Sequence, residues 1–365
     1  VRILVLGGQG NFGARICRAL VRDPGHEVLA AGRTQRPAPA GCESVRFVQL
    51  DLDAADFPAA LARIAPNIVV HCAGPFQGQD YRVARAAIAA GAHYVDLADS
   101  RPFAAQFAAA VDAEARAAGV MAICGASTLP ALSAAVIDAM RPRFLQLREI
   151  MIVIAPAQRA QRGAATIAGV FSYAGRPFTQ FAGGRWRKRH GWMGLDRVRL
   201  PELGTRWSAW CDVPDVELLP ARYPGVQTVE FRAALEVGVQ HIVLWAAACM
   251  RRLRIPLPLE RWAAPLDRIA SHLDVLGSER GGMLVRLQGS LLDGRRGQVE
   301  WYLVVDDNHG PEVPCIAALL VIARLADGRL ARPGAMPCLD ILKLADFGPE
   351  FARWKMRTRV EEWPH

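Results

Sequence analysis

An α/β fold is predicted for this chain: a doubly wound parallel sheet at the N-terminus, with a second, α+β domain inserted into it. Three observations predict it. The chain opens on an apolar run that ends in a glycine cluster, VLGGQGNFG at 5–13, and an amphipathic segment follows at 12–21. That is a strand, a tight turn and a helix, the start of a dinucleotide-binding βαβ unit of the Rossmann type. Short β-rich runs then alternate with helical patterns as far as about residue 130, as in a parallel sheet covered on both faces. After Pro130 the alternation lapses, and it resumes near residue 312.

The elements follow in order. Strands are predicted at 3–6, 26–31, 44–50, 67–72, 93–97 and 120–124, and helices at 54–64, 81–90 and 103–118. The continuous apolar runs at 3–6 and 68–70 suit strands buried on both sides. In the middle of the chain, strands are expected at 148–154, 178–186, 226–233, 283–289 and 298–305, with a helix at 164–173. Longer strands with mixed polar faces predict a second, mostly antiparallel sheet. A strong helix at 314–325 marks the return. The expected division is 1–130 plus about 312–365 for the nucleotide-binding domain, and 131–311 for an inserted substrate or dimerisation domain.

Each part of the glycine cluster has a physical task. Gly8 is expected to take the tight turn, Gly10 to let a pyrophosphate approach the backbone, and Gly13 to let the helix pack closely on the strand. The helix N-terminus offers free N–H groups and a positive dipole end to phosphates. Gly7, Gly8, Gln9, Gly10, Asn11, Phe12 and Gly13 are therefore the expected phosphate loop. An NAD site places Asp or Glu at the end of the second strand to bind the ribose 2′-hydroxyl. Here that place reads Ala31-Gly32-Arg33-Thr34. With no carboxylate there, Arg33 is free to stack on adenine and pair with a 2′-phosphate, with Thr34 adding a hydroxyl. The pattern favours NADP over NAD. Asp51, just beyond the third strand, joins the expected cofactor-binding set.

Composition bounds the rest. The 365 residues are 52% hydrophobic and 22% charged, which describes a globular protein and excludes a disordered one. Eight cysteines are scattered without a CxxC pair, so they read as reduced core thiols, not a disulfide or zinc framework. No metal constellation is expected, since the eight histidines are dispersed. With no leader ahead of the first strand, a cytoplasmic location is the expectation. The net charge of +9 is compatible with nucleic acid, anionic lipid or acidic small ligands. One basic run stands apart, GRWRKRHGW at 184–192. As a strand it puts Arg185, Arg187 and Arg189 on one face and Trp186, Lys188 and His190 on the other. It would frame an anionic small-molecule substrate, or equally serve as a solvated edge strand. Nucleic acid is not favoured, because no recognised binding module accompanies it. The most apolar stretch, 237–250, ends against Arg251, Arg252 and Arg254. It is too short to span a bilayer. A buried or oligomer-interface helix is preferred there over one lying on a membrane surface, and a homodimer is expected.

Hydride transfer to an imine or carbonyl also needs a proton donor or electrostatic support. Asp99 follows the fifth strand, at the sheet edge where ligands bind, as an acid/base or ammonium-binding group or as a helix N-cap. His190, in the basic run, is the best histidine candidate. His71 lies inside the fourth strand and reads as a hydrogen-bonded core residue. Ser127 and Thr128 follow the sixth strand and either touch the ligand or cap the next helix.

On the motifs VLGGQGNFG (5–13), AAGRT (30–34), VVHCAGPF (69–76) and GAHYVDLAD (91–99), the chain resembles the saccharopine dehydrogenase-like proteins. The returning segment 310–338, with GAMP at 334–337, is similar to that family's last Rossmann helix and loop. The resemblance is dense over 1–130 and good in outline beyond. It implies that Ala73, Gly74 and Pro75 line the nicotinamide side of the pocket, with Phe76 nearby. Reductases of the family make or cleave a secondary amine between two amino-acid parts, and other members handle polyamines or lipids. Where the reductases often carry a glutamate, this chain reads Asp99-Ser100. A short-chain dehydrogenase is disfavoured, because none of Tyr81, Tyr94, Tyr173, Tyr223 and Tyr302 has a lysine four residues on. The expected activity is NADP-dependent hydride transfer to or from an imine, secondary amine or related small molecule. The alternatives are a non-catalytic NADP-binding sensor or scaffold, and a membrane-surface reductase acting on lipid intermediates.

Overall fold

The computed structural model describes residues 1–161, 163–257, 259, 265 and 271–364. The chain forms two compact units, Val1–Leu132 with Pro311–Leu342, and Ser133–Gly310 with Lys343–His365.

The first unit is built on a sheet of seven parallel strands. These are β1 (Arg2–Leu6), β2 (Glu27–Gly32), β3 (Arg46–Gln49), β4 (Ile68–His71), β5 (His93–Asp96), β6 (Met121–Cys124) and β15 (Gly334–Pro337), in the spatial order β15-β6-β5-β4-β1-β2-β3. Strand order therefore reverses at β1, and the crevice outside the ends of β1 and β4 is the switch point where such sheets bind ligands. Residues Ile3 to Leu6 and Ile68 to His71 are buried throughout, as strands covered on both faces must be. Helix α1 (Asn11–Leu20) packs with the later helix α9 (Val313–Ala326). Helices α2 (Phe57–Ile64), α3 (Arg82–Ala89) and α4 (Arg101–Ala117) pack in sequence against one another, and α3 and α4 against the sheet.

GAMP at 334–337, expected as loop, is the seventh strand, paired in parallel with β6. Glycine and proline hid it. An edge strand tolerates a proline because one side of its ladder is unpaired.

The second unit carries a mixed sheet in the order β10-β11-β12-β7-β13-β14-β16. Its strands are β7 (Phe144–Ala155), β10 (Asp196–Leu200), β11 (Gly204–Trp210), β12 (Thr228–Ala233), β13 (Gly281–Leu291), β14 (Arg296–Val305) and β16 (Arg357–Pro364). Only β7 and β12 pair in parallel. An Asp293-Gly294 turn, with Gly294 at φ +84, joins β13 to β14; such a dipeptide suits the left-handed turn of a hairpin. Val153, Val198, Leu200, Leu284 and Tyr302 form a core on one face. The strand expected at 178–186 is the hairpin β8 (Pro177–Phe181) and β9 (Trp186–His190), bent at Gly183 and Gly184, both at positive φ.

Two expectations are corrected. The segment after residue 342 does not belong with the nucleotide-binding unit: β16 pairs along β14, and helix α10 (Leu344–Arg353) contacts α5 (Ser133–Met140). Nor is 237–250 a buried helix. In α8 (Gly238–Arg252) only His241 and Ala248 are fully buried.

Candidate functional site

The glycine loop follows the end of β1. Gly7 has φ +74, and a Cβ there would stand 3.0 Å from the Ala73 nitrogen. Only glycine takes that left-handed turn cheaply. The tight turn expected of Gly8 thus belongs to Gly7. Gly8 is needed for packing, since its Cβ would lie 2.7 Å from that of Ala30. Gly10 caps α1 in an extended conformation (φ −81, ψ 178) and its N–H reaches the Gly7 carbonyl at 2.8 Å. At Gly13 a Cβ would come within 2.2 Å of the Gly7 oxygen, so helix and turn are in backbone contact. Asn11 and Phe12 open the helix, whose first turn holds no acidic residue. The first N–H groups of a helix have no partner within it, and no acidic residue of that first turn competes for them.

Beyond β2, Arg33 and Thr34 are exposed. Gln9 fixes this loop to the glycine turn: its amide donates to the Arg36 carbonyl at 2.6 Å and its oxygen accepts the Arg36 N–H at 3.0 Å. Gln9 is therefore a tie between two loops. It brings a second exposed cation, Arg36, beside the turn, which sequence reading passed over. Asp51 is exposed just past β3, accepting the Asp53 N–H at 3.1 Å.

On the other side of β1, the loop after β4 carries Ala73, Gly74, Pro75 and Phe76. Ala73 touches the Gly7 turn. The Gln79 amide donates to the carbonyls of Ala73 (2.9 Å) and Pro75 (2.8 Å) and clamps the loop. Phe76 is buried edge-on against His71, centroids 4.9 Å apart. His71 is a core residue: Nδ1 shares a 3.0 Å hydrogen bond with the Tyr94 hydroxyl, and burial pushes its pKa down to about 4. It is neutral at pH 7.

Asp96, at the end of β5, is fully buried. Its Oδ1 accepts the N–H groups of Ala98 (2.9 Å) and Gly125 (2.7 Å), tying the ends of β5 and β6 together. Burial lifts its carboxyl to about 6, against the pull of those N–H groups. The motif around Asp96 was legible; its structural task was not, because it depends on a neighbouring strand.

Asp99 accepts the Gln77 amide at 3.2 Å, which sets it beside the loop carrying Ala73 to Phe76. It is exposed to water, yet the protein atoms around its carboxyl raise its pKa, with the Gln77 bond acting the other way. The N-cap of α4 is Ser100, not Asp99. Thr128 is buried, and Ser127 donates its N–H to Gly125. His190 belongs to the second unit, on β9. Burial and then the nearby Arg252 and Lys188 lower its pKa. All eight cysteines are free thiols.

Residues 3–123 match the sequence family described as the saccharopine dehydrogenase NADP binding domain. No curated protein sequence matches the chain. Among solved structures, saccharopine dehydrogenase (L-Glu forming) from Saccharomyces cerevisiae superposes with a TM-score of 0.69 at 12% identity, over 99% of each chain. An engineered D-amino acid dehydrogenase bound to NADP+ gives a TM-score of 0.50 at 14% identity, over 96% of this chain and 98% of that one. Residues 3–123 thus match the saccharopine dehydrogenase NADP binding domain, and the fold of the chain is like that of saccharopine dehydrogenase over nearly its whole length.

Proposed function

We propose that the protein is an NADP-dependent oxidoreductase that transfers hydride to or from an imine, secondary amine or related small molecule. The observation that carries this reading is the cradle at the β1/β4 switch point. The Gly7 turn, the Gly13 contact and an acid-free helix N-terminus leave room for a pyrophosphate and complement its charge. The residues fit the cofactor. Gly10 and the N-terminus of α1 would hold the pyrophosphate, Arg33, Thr34 and Arg36 the 2′-phosphate, and Ala73 to Phe76 the nicotinamide side. The bound nicotinamide would supply or accept the hydride. The chain's own residues do the rest. Gln79 and Phe76 keep the loop rigid. Asp99 stands beside that loop as the acid/base group, its carboxyl pKa raised by the protein atoms around it. His190, on the second unit, has its pKa lowered by burial and then by Arg252 and Lys188, and is the candidate proton acceptor of that unit.

Fluorescence titration with NADPH and NADH tests the cofactor assignment. NADPH should bind at least about tenfold more tightly than NADH. Arg33→Ala should remove most of that preference and leave NADH binding nearly unchanged, because a lost charge-assisted phosphate contact costs about 1.5–3 kcal/mol. Absence of binding by either nucleotide would sink the oxidoreductase reading. Equal binding of both would sink the NADP preference.

A further inference from the structure

Helix α8 carries an apolar stripe that is exposed among the described residues. Val239, Val243, Ala246, Met250 and Leu253 follow one another at steps of four, three, four and three residues, which places them on a single helical face. Val239 is 56% exposed, Val243 60% and Leu253 74%. The fully buried residues, His241 and Ala248, lie on the opposite face. Ile255, just past the helix, is exposed as well.

Among the described residues, the charges at the C-terminal end of this helix are of one sign. Arg251 and Arg252 close the helix and Arg254 follows. Arg251 donates to the Phe171 carbonyl at 2.8 Å. Arg252 and Arg254 are exposed and have no ion-pair partner among the described residues. Arg252 and Lys188 together disfavour the charged form of His190. The first turn of α8 holds no acid. Glu236, just before it, is already engaged by the N–H groups of Gln158 (2.8 Å) and Ser278 (3.0 Å) and by Arg206 at 3.6 Å.

This charge pattern selects the occupant. Pairing with a second copy in parallel would set arginines against arginines. Antiparallel pairing would set them against a helix N-terminus, itself positive. An anionic bilayer supplies apolar depth for the stripe and countercharge for the arginines together. Among the described residues no helix is long and apolar enough to cross a membrane, so the contact is peripheral. We infer that the exposed face of α8, with Arg252 and Arg254, docks the protein on an anionic phospholipid surface.

Flotation of the full chain with vesicles tests this. The chain should float with equimolar phosphatidylcholine and phosphatidylglycerol, and stay in solution with phosphatidylcholine alone. Raising the salt should release it. Arg252→Glu/Arg254→Glu and, separately, Val243→Asp/Leu253→Asp should each weaken partitioning about tenfold or more, with the urea midpoint unchanged. The inference is overturned if the native chain does not float with anionic vesicles at low salt, or if neither variant alters flotation. It is equally overturned if sedimentation reveals a dimer that Val243→Asp/Leu253→Asp splits.

Discussion

Gly13→Ala should destabilise the first unit by about 3 kcal/mol and weaken NADPH binding about a hundredfold or more. Glycine to alanine inside a helix normally stabilises by about 1 kcal/mol. Here the sign reverses, because the new methyl would stand 2.2 Å from the Gly7 oxygen and 2.8 Å from the Gly8 Cα. Both are backbone atoms, so relief requires the helix to move off the turn proposed to cradle the phosphates. Gly10→Ala separates folding from binding. Its Cβ would meet only the Gly7 oxygen, at 3.1 Å, and its backbone is of a kind any residue adopts. That variant should lose about 1 kcal/mol or less of stability yet bind NADPH at least about tenfold more weakly, the methyl filling the approach of the pyrophosphate. Urea denaturation and nucleotide titration on both variants check this. Equal loss of stability in both would contradict the geometry. Normal binding by Gly10→Ala would take the phosphate away from this loop.

The second large effect is a dependence on pH in the second unit. Asp215, in the first turn of α7 (Pro214–Arg222), is wholly buried and accepts a hydrogen bond from the Ser133 hydroxyl. Burial raises its carboxyl to about 7, and the Ser133 bond offsets that only in part. Below about pH 4 the group is protonated whether the chain is folded or not. As pH rises towards 7 the unfolded chain releases its proton while the folded chain retains it, so stability falls. Above 7 the folded state carries a buried carboxylate and the loss is complete. A shift of this size corresponds to about 4 kcal/mol. Asp215→Asn keeps an oxygen for Ser133 and removes the charge. Relative to the native chain it should gain about 4 kcal/mol between pH 4 and pH 8, read from urea midpoints across that range. Parallel curves for the two proteins would refute it.

Much of the first unit was legible because its signals are local. The run from Ile3 to Leu6 is continuously apolar, and the spacing of Gly7, Gly10 and Gly13 is a backbone requirement written directly in residue type. The missing carboxylate after β2 was equally plain. The errors have a common cause. Gly7 rather than Gly8 takes the left-handed turn because Gly8 lies against Ala30 of the next strand, a neighbour 22 residues away. Asp96 looked like part of a strand motif until β6 supplied the N–H of Gly125. The stretch 237–250 looked buried because it is apolar, but apolarity states only that burial is favourable, not that a partner is present.

The amino-acid sequence by itself determined the α/β class and the glycine turn that follows the first strand. Periodicity and glycine spacing act over a few residues, and these features need no more. Tertiary structure decided the strand order that puts β1 at the switch point, the pairing of Gly334–Pro337 with β6, and the return of Arg357–Pro364 to β14 in the second unit. Edge pairing is made by backbone hydrogen bonds, which every residue but proline offers alike. A short strand of glycine and proline, or one rich in arginine and glutamate, therefore announces itself only when the neighbouring strand is in place.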